Sequence, residues 1–78
     1  MTQNELYRIL DKAAIRSGYQ GKTAASSPQI SKLTYLAIRA GSETMATLAS
    51  EFLKANALTY EIASDRIETM IRSKGGAA

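Results

Sequence analysis

The chain has 78 residues, room for one small domain and too little for a nucleotide-binding sheet or a second core. It contains no cysteine and no histidine, which removes disulfides, thiol nucleophiles, zinc sites and imidazole acid–base chemistry together. The net charge of +3 is unevenly spread: no acid stands between Asp11 and Glu43, while Lys12, Arg16, Lys22, Lys32 and Arg39 do, so the basicity is local.

Thr2 and Glu5 stand at the capping-box spacing, which predicts a first helix over 3–17. Leu6, Ile9, Leu10 and Ala13 form its apolar stripe. Arg8, Lys12 and Arg16, each four residues from the next, line an exposed edge, and Gly18 is the expected stop. The following stretch, GYQGKTAASS, is small and polar and reads as a surface loop. It is long for a connection between two packed helices, so either the loop is functional or part of it is a helical turn.

The second helix is expected over 28–40, with Ser27 as its cap and Pro28 where a missing N–H costs nothing. Ile30, Leu33, Ala37 and Ala40 share one face; Lys32, Tyr35 and Arg39 share the other. Gly41 closes that helix, and Ser42 or Thr44 restarts the chain over 43–55. There Met45, Leu48, Ala49, Phe52 and Leu53 repeat at helical spacing. Asn56 suits the left-handed residue that ends a helix, and Thr59 caps a last helix over 60–73 with Glu61 in its first turn. Tyr60, Ala63, Ile67, Met70 and Ile71 make its apolar face. The expected fold is all-α: a compact bundle of four short helices forming one domain over 1–74, followed by a flexible tail at 75–78. Leu10, Leu33, Ala37, Leu48, Phe52 and Ile67 are the expected core, whereas Ile15, Ile38 and Ile62 fall off the apolar stripes and suit pairing into a homodimer.

Four motifs invite chemistry. Gly21-Lys22-Thr23 ends like a phosphate loop, but Arg16 occupies the position of that motif's first glycine and no strand precedes it. Gly41-Ser42-Glu43-Thr44-Met45 resembles the G-x-D-S-L stretch of acyl carrier proteins over five residues. It places Thr44 where the carrier serine belongs, and the helix before it is basic where carriers are acidic, so no prosthetic group is expected. Glu61, Asp65 and Glu68 lie along one helix edge, strung on a rod instead of wrapped around a cation. Leu36-Ala37-Ile38-Arg39-Ala40-Gly41 resembles the first half of a helix-turn-helix, which makes the central pair helix-turn-helix-like. That resemblance implies a reading helix presenting Thr44 and Thr47 to bases; past Gly41 the apolar register departs from the motif.

No apolar run is long enough for a signal peptide or a membrane span, which points to the cytoplasm and away from membranes. Nothing in the chain suggests an enzyme or a cofactor. The expectation is a small nucleic-acid-binding regulator, with Arg8, Lys12, Arg16, Lys22, Lys32 and Arg39 on phosphates and Tyr35 stacking. The alternative is a protein-binding accessory factor of the phage or plasmid kind, an adaptor or inhibitor that docks an acidic protein surface on the same residues.

Overall fold

Caps and turn residues cut the chain into four helices: α1 (Gln3–Tyr19), α2 (Ser27–Ala40), α3 (Ser42–Ala55) and α4 (Tyr60–Gly76). The structure, a computed structural model, describes residues 1–76, with side chains described through Ser73. Of the tail expected at 75–78, residues 75–76 continue α4 and residues 77–78 lie outside the described residues.

The expected capping box opens α1: Thr2 Oγ1 accepts the Glu5 N–H at 3.2 Å, and Glu5 Oε1 accepts the Thr2 N–H at 2.8 Å. At α2 the cap is Ser26, not Ser27. Three residues after Ser26 stands Gln29, whose amide oxygen returns a bond to the Ser26 N–H at 2.9 Å; three after Ser27 stands Ile30, which can return nothing. Gly18 does not stop α1 either. The helix continues to Tyr19, and the left-handed turn residue is Gly21, with φ 79°. Gly41 has φ 122°, a conformation open to glycine, and serves at once as the end of α2 and the start of α3. No residue with a capping oxygen fits between the two helices, so α3 begins without a side-chain cap, and neither Ser42 nor Thr44 acts as one. This one-residue corner is shorter than the three- or four-residue turn of a helix-turn-helix. Asn56 (φ 51°, ψ 35°) ends α3 in the left-handed conformation, and Thr59 Oγ1 accepts the Ile62 N–H at 3.1 Å in the first turn of α4.

The order of packing is unequal. Among the described residues, helix α2 packs against each of the other three, α1 and α3 pack against each other, and α4 has only α2 as a close backbone neighbour. The core lies where α1, α2 and α3 meet, with Leu6, Leu10, Ile30, Leu33, Ala37, Leu48, Ala49 and Phe52 buried. Five of the six expected core residues are among the buried ones; Ile67 is only half-buried, because α4 covers one neighbour and is covered by one. Ala40, Leu53, Tyr60 and Ile71, assigned to apolar faces, are exposed. Ile15, Ile38 and Ile62 are exposed as expected.

The long loop is shorter than expected, because part of that stretch is helical: Gly18 and Tyr19 belong to α1 and Ser27 to α2. It pairs with the α3–α4 connection: Ala24 and Thr59 form an isolated antiparallel bridge, Ala25 N–H donates to the Leu58 carbonyl at 3.0 Å, and Tyr60 N–H donates to the Thr23 carbonyl at 2.8 Å. Leu58, in that connection, is fully buried. Its N–H donates to Ser17 Oγ at 2.7 Å and also to the Ala13 carbonyl at 3.1 Å, so a buried serine on α1 holds the far linker in place. The two linkers therefore satisfy part of each other's polar backbone without a helix of their own.

Candidate functional site

Two arginines have carboxylate partners. Arg66 forms a bidentate pair with Glu51 at 2.7 and 2.5 Å, and Arg72 pairs with Glu68 one turn away. The two hydrogen bonds that Arg66 donates to Glu51 hold its guanidinium further toward the charged form than it would be in water, against the opposing effect of partial burial. Among the described side chains, Arg8, Lys12, Arg16, Lys22, Lys32, Arg39 and Lys54 have no carboxylate within salt-bridge distance. Six of these are the cations singled out from the sequence, and all six are exposed.

They do not form one patch around a shared groove. Arg8 and Lys12 border a groove of about 300 Å³ between α1 and α3, lined also by Glu5, Ile9, Ala13, Phe52, Leu53 and Asn56; Glu5 is not within salt-bridge distance of either cation. Lys12 and Arg16 border the next hollow, about 280 Å³, with Ile15, Tyr19 and Asn56. Sharing Lys12 and Asn56, the two hollows make one continuous face along the outer edge of α1. Lys22 follows in the loop, its N–H donating to the Ser17 carbonyl at 3.0 Å at the end of that helix.

The α2 cluster is separate. Arg39 Nη1 donates to the Tyr35 hydroxyl at 2.8 Å, with the guanidinium carbon 5.6 Å from the ring centroid, and Lys32 Nζ lies 6.0 Å from the same centroid. Cations this close to a half-exposed ring gain about 0.5–1 kcal/mol each. Arg39 also borders a groove of about 450 Å³ with Leu36, Thr44, Thr69, Met70 and Ser73. Thr44 and Thr47 share a hollow with Glu43 and Arg66, apart from the α1 row. The expected reading helix α3 thus carries Glu43 and Glu51 beside its threonines.

Three residues of the α1 face were not among the sequence candidates: Tyr19, Leu53 and Asn56. Tyr19 is 83% exposed, the most exposed of the large hydrophobic residues, and Leu53 is 63% exposed. A signal for Tyr19 was present. At 100° per residue Arg8, Lys12 and Arg16 fall at about 80°, 120° and 160° around α1, and Tyr19 falls at about 100°, inside their arc. Leu53 and Asn56 had no such signal, since their place beside the row depends on how α3 crosses α1.

No helix among the described residues is long and apolar enough to cross a membrane, and no three acidic side chains converge in a way that could hold a metal ion. Compared with protein-family models, curated proteins and solved structures, the chain matches none.

Proposed function

We propose that the protein is a cytoplasmic, non-enzymatic, nucleic-acid-binding regulator that takes the phosphate backbone along the outer edge of α1. One observation carries this: Arg8, Lys12 and Arg16 form a straight row, about 6 Å apart along the helix axis, with no carboxylate holding any of them. Cations without protein partners stand ready to replace the counterions of a phosphate chain, and releasing those counterions drives the association. Lys22 extends the row past the end of the helix, while Lys32 and Arg39, already engaged with Tyr35, form a second and weaker contact. Helix α3 is the weaker candidate for a reading element, because Glu43 shares the hollow with Thr44 and Thr47 and the cation there, Arg66, is already paired with Glu51.

The test is fluorescence anisotropy with labelled oligonucleotides at two salt concentrations, using wild type and single alanine variants of Arg8, Lys12 and Arg16. Each substitution weakens binding to every sequence alike and flattens the salt dependence, whereas Thr44→Ala and Thr47→Ala leave both unchanged. Absence of wild-type binding at low salt overturns the proposal. A second reading, the protein-binding accessory factor, is favoured by Leu53, an exposed leucine beside Arg8 and Lys12 in an apolar-floored groove. Under that reading Leu53→Asp abolishes capture of an acidic partner and salt changes little. The exposed Ile38 and Ile62 suit pairing of two copies; light scattering at the monomer mass of 8.4 kDa at high micromolar concentration removes that element.

A further inference from the structure

Resting on the nucleic-acid reading, we infer that the bound strand is single, with Tyr19 as the platform on which one base stacks. The α1 face interleaves charge with apolar and aromatic surface. The cation row spans about 12 Å from Arg8 to Arg16, and Tyr19 falls within its arc, with Ile15 in the same hollow. Across from the row stand Leu53 and Asn56 of α3, and Glu5 also lines that groove. A single strand carries unstacked bases beside its phosphates, so it can meet cations and ring together. A duplex hides its base faces and would leave the exposed ring unused.

Tyr19 is suited to stacking by its exposure and by its footing. Its side chain has no hydrogen-bond or ring partner among the described residues, while its backbone sits in a fixed frame. Gln20 N–H donates to the Arg16 and Ser17 carbonyls at 3.1 Å, and Ser17 Oγ is locked to the Leu58 N–H at 2.7 Å. With the backbone fixed beside Arg16, only the two side-chain torsions of Tyr19 are restricted when a base settles on the ring. Leu53 and Ile15 offer apolar surface to neighbouring bases, and the Asn56 amide offers a donor and an acceptor to a base edge without fixing its identity. Stacking of this kind tolerates sequence, because every base has a π face.

The experiment compares a labelled oligo-dT with a duplex of equal length, using full-length wild type, Tyr19→Ala and Tyr19→Phe. The single strand binds more tightly than the duplex. Tyr19→Ala weakens single-strand binding about fivefold to a hundredfold, Tyr19→Phe keeps it, and duplex binding is the same for all three. The salt slope for the single strand is unchanged by Tyr19→Ala but falls by about 0.7 for each of Arg8, Lys12 and Arg16 removed. Equal affinity for duplex, or a silent Tyr19→Ala, overturns the single-strand inference and leaves the nucleic-acid reading intact. No binding to either oligonucleotide at low salt overturns both. Polyglutamate binding as tight as oligo-dT, with Tyr19→Ala neutral, replaces the nucleic acid by an acidic protein and also overturns both.

Discussion

Helices α1 and α4 have 17 residues each, yet they do opposite work in the fold. Helix α1 lies against both α2 and α3 and buries Leu6, Leu10, Ala13, Ala14 and Ser17. Helix α4 has one close neighbour, and among its described side chains only Ala63 is fully buried, with Ile67 and Met70 partly covered. What α4 lacks in apolar cover it replaces with polar ties. Gln29 Nε2 donates to the Tyr60 carbonyl and to Ser64 Oγ, both at 3.1 Å, and Arg66 bridges to Glu51 on α3 while its guanidinium lies 5.7 Å from the Phe52 ring centroid. Equal length therefore does not give equal burial; α4 is the less amphipathic of the two and has fewer neighbours. The better anchored helix is also the one that presents the cation row.

The largest expected effect tests that contrast directly. Leu10→Ala removes a fully buried side chain from between two helices and should cost about 2–5 kcal/mol, enough to threaten a domain of this size. Ile67→Ala, on the half-covered face of α4, should cost about 1 kcal/mol, since much of its surface is already in water. Urea titration of both variants measures the gap. Equal losses would mean that α4 is as deeply packed as α1 and would break the comparison.

Next in size is Ser17→Ala. The serine is buried on α1, accepts the Leu58 N–H and donates to the Ala13 carbonyl at 3.3 Å. Removing it should cost about 1–2 kcal/mol rather than the upper range for an orphaned buried donor, because the Leu58 N–H keeps the Ala13 carbonyl. Hydrogen exchange should show the Leu58 amide opening faster in the variant while amides of α2 keep their protection. An unchanged Leu58 amide would show that the Ala13 carbonyl alone suffices.

Ser17 also marks where the sequence stops being legible. Helix boundaries were readable from Thr2 with Glu5, Pro28, Gly41 and Asn56, because caps and breakers act within a few residues of themselves. Burial of Leu10, Leu33, Ala37, Leu48 and Phe52 was readable from helical period. Ser17 was not: its partner, Leu58, is 41 residues away, and a serine on an apolar stripe looks like a fault in the stripe. Leu58 was missed for the matching reason, being a core residue in a linker with no period to announce it. For the site, exposure of the cations followed from the pattern, but their grouping did not. Which flank of α1 meets α3, and hence that Leu53 and Asn56 border Arg8 and Lys12, is decided by packing alone.

A smaller effect is expected at the tie between α3 and α4. Arg66 and Glu51 are 31% and 39% exposed at their side chains, so solvent screens much of their attraction. A double-mutant cycle with Arg66→Met and Glu51→Gln should give a coupling of about 0.5–1 kcal/mol that shrinks in high salt. Arg66→Met alone also strips the cation from the Phe52 ring, which the cycle separates from the ion pair. A coupling near zero would leave Gln29 as the main polar anchor of α4.

The smallest effect sharpens the comparison at the helix starts, where α1 and α2 carry the same capping box built from different chemistry. In α1 the returning side chain is Glu5; in α2 it is Gln29, which cannot ionise. The hydrogen bond from the Thr2 N–H, then the Thr2 side chain, favour the Glu5 carboxylate and hold its pKa below the ordinary 4.5, with lesser pulls from the N-terminal charge and Arg8. A carboxyl whose pKa is lower folded than unfolded binds fewer protons in the native state. Its contribution to stability is therefore complete above the unfolded pKa, near 4.5, and is lost as pH falls through the lower folded value. Wild type should lose a small part of its stability in that acid window, and Glu5→Gln should remove that part of the pH dependence while keeping the box, as Gln29 does in α2. Gln29→Glu should do the reverse and give α2 an acid-sensitive start. Thermal melts of the three proteins between neutral pH and pH 3 measure this. A Glu5→Gln curve with wild-type acid dependence would place the sensitivity on the other carboxylates instead of on the α1 cap.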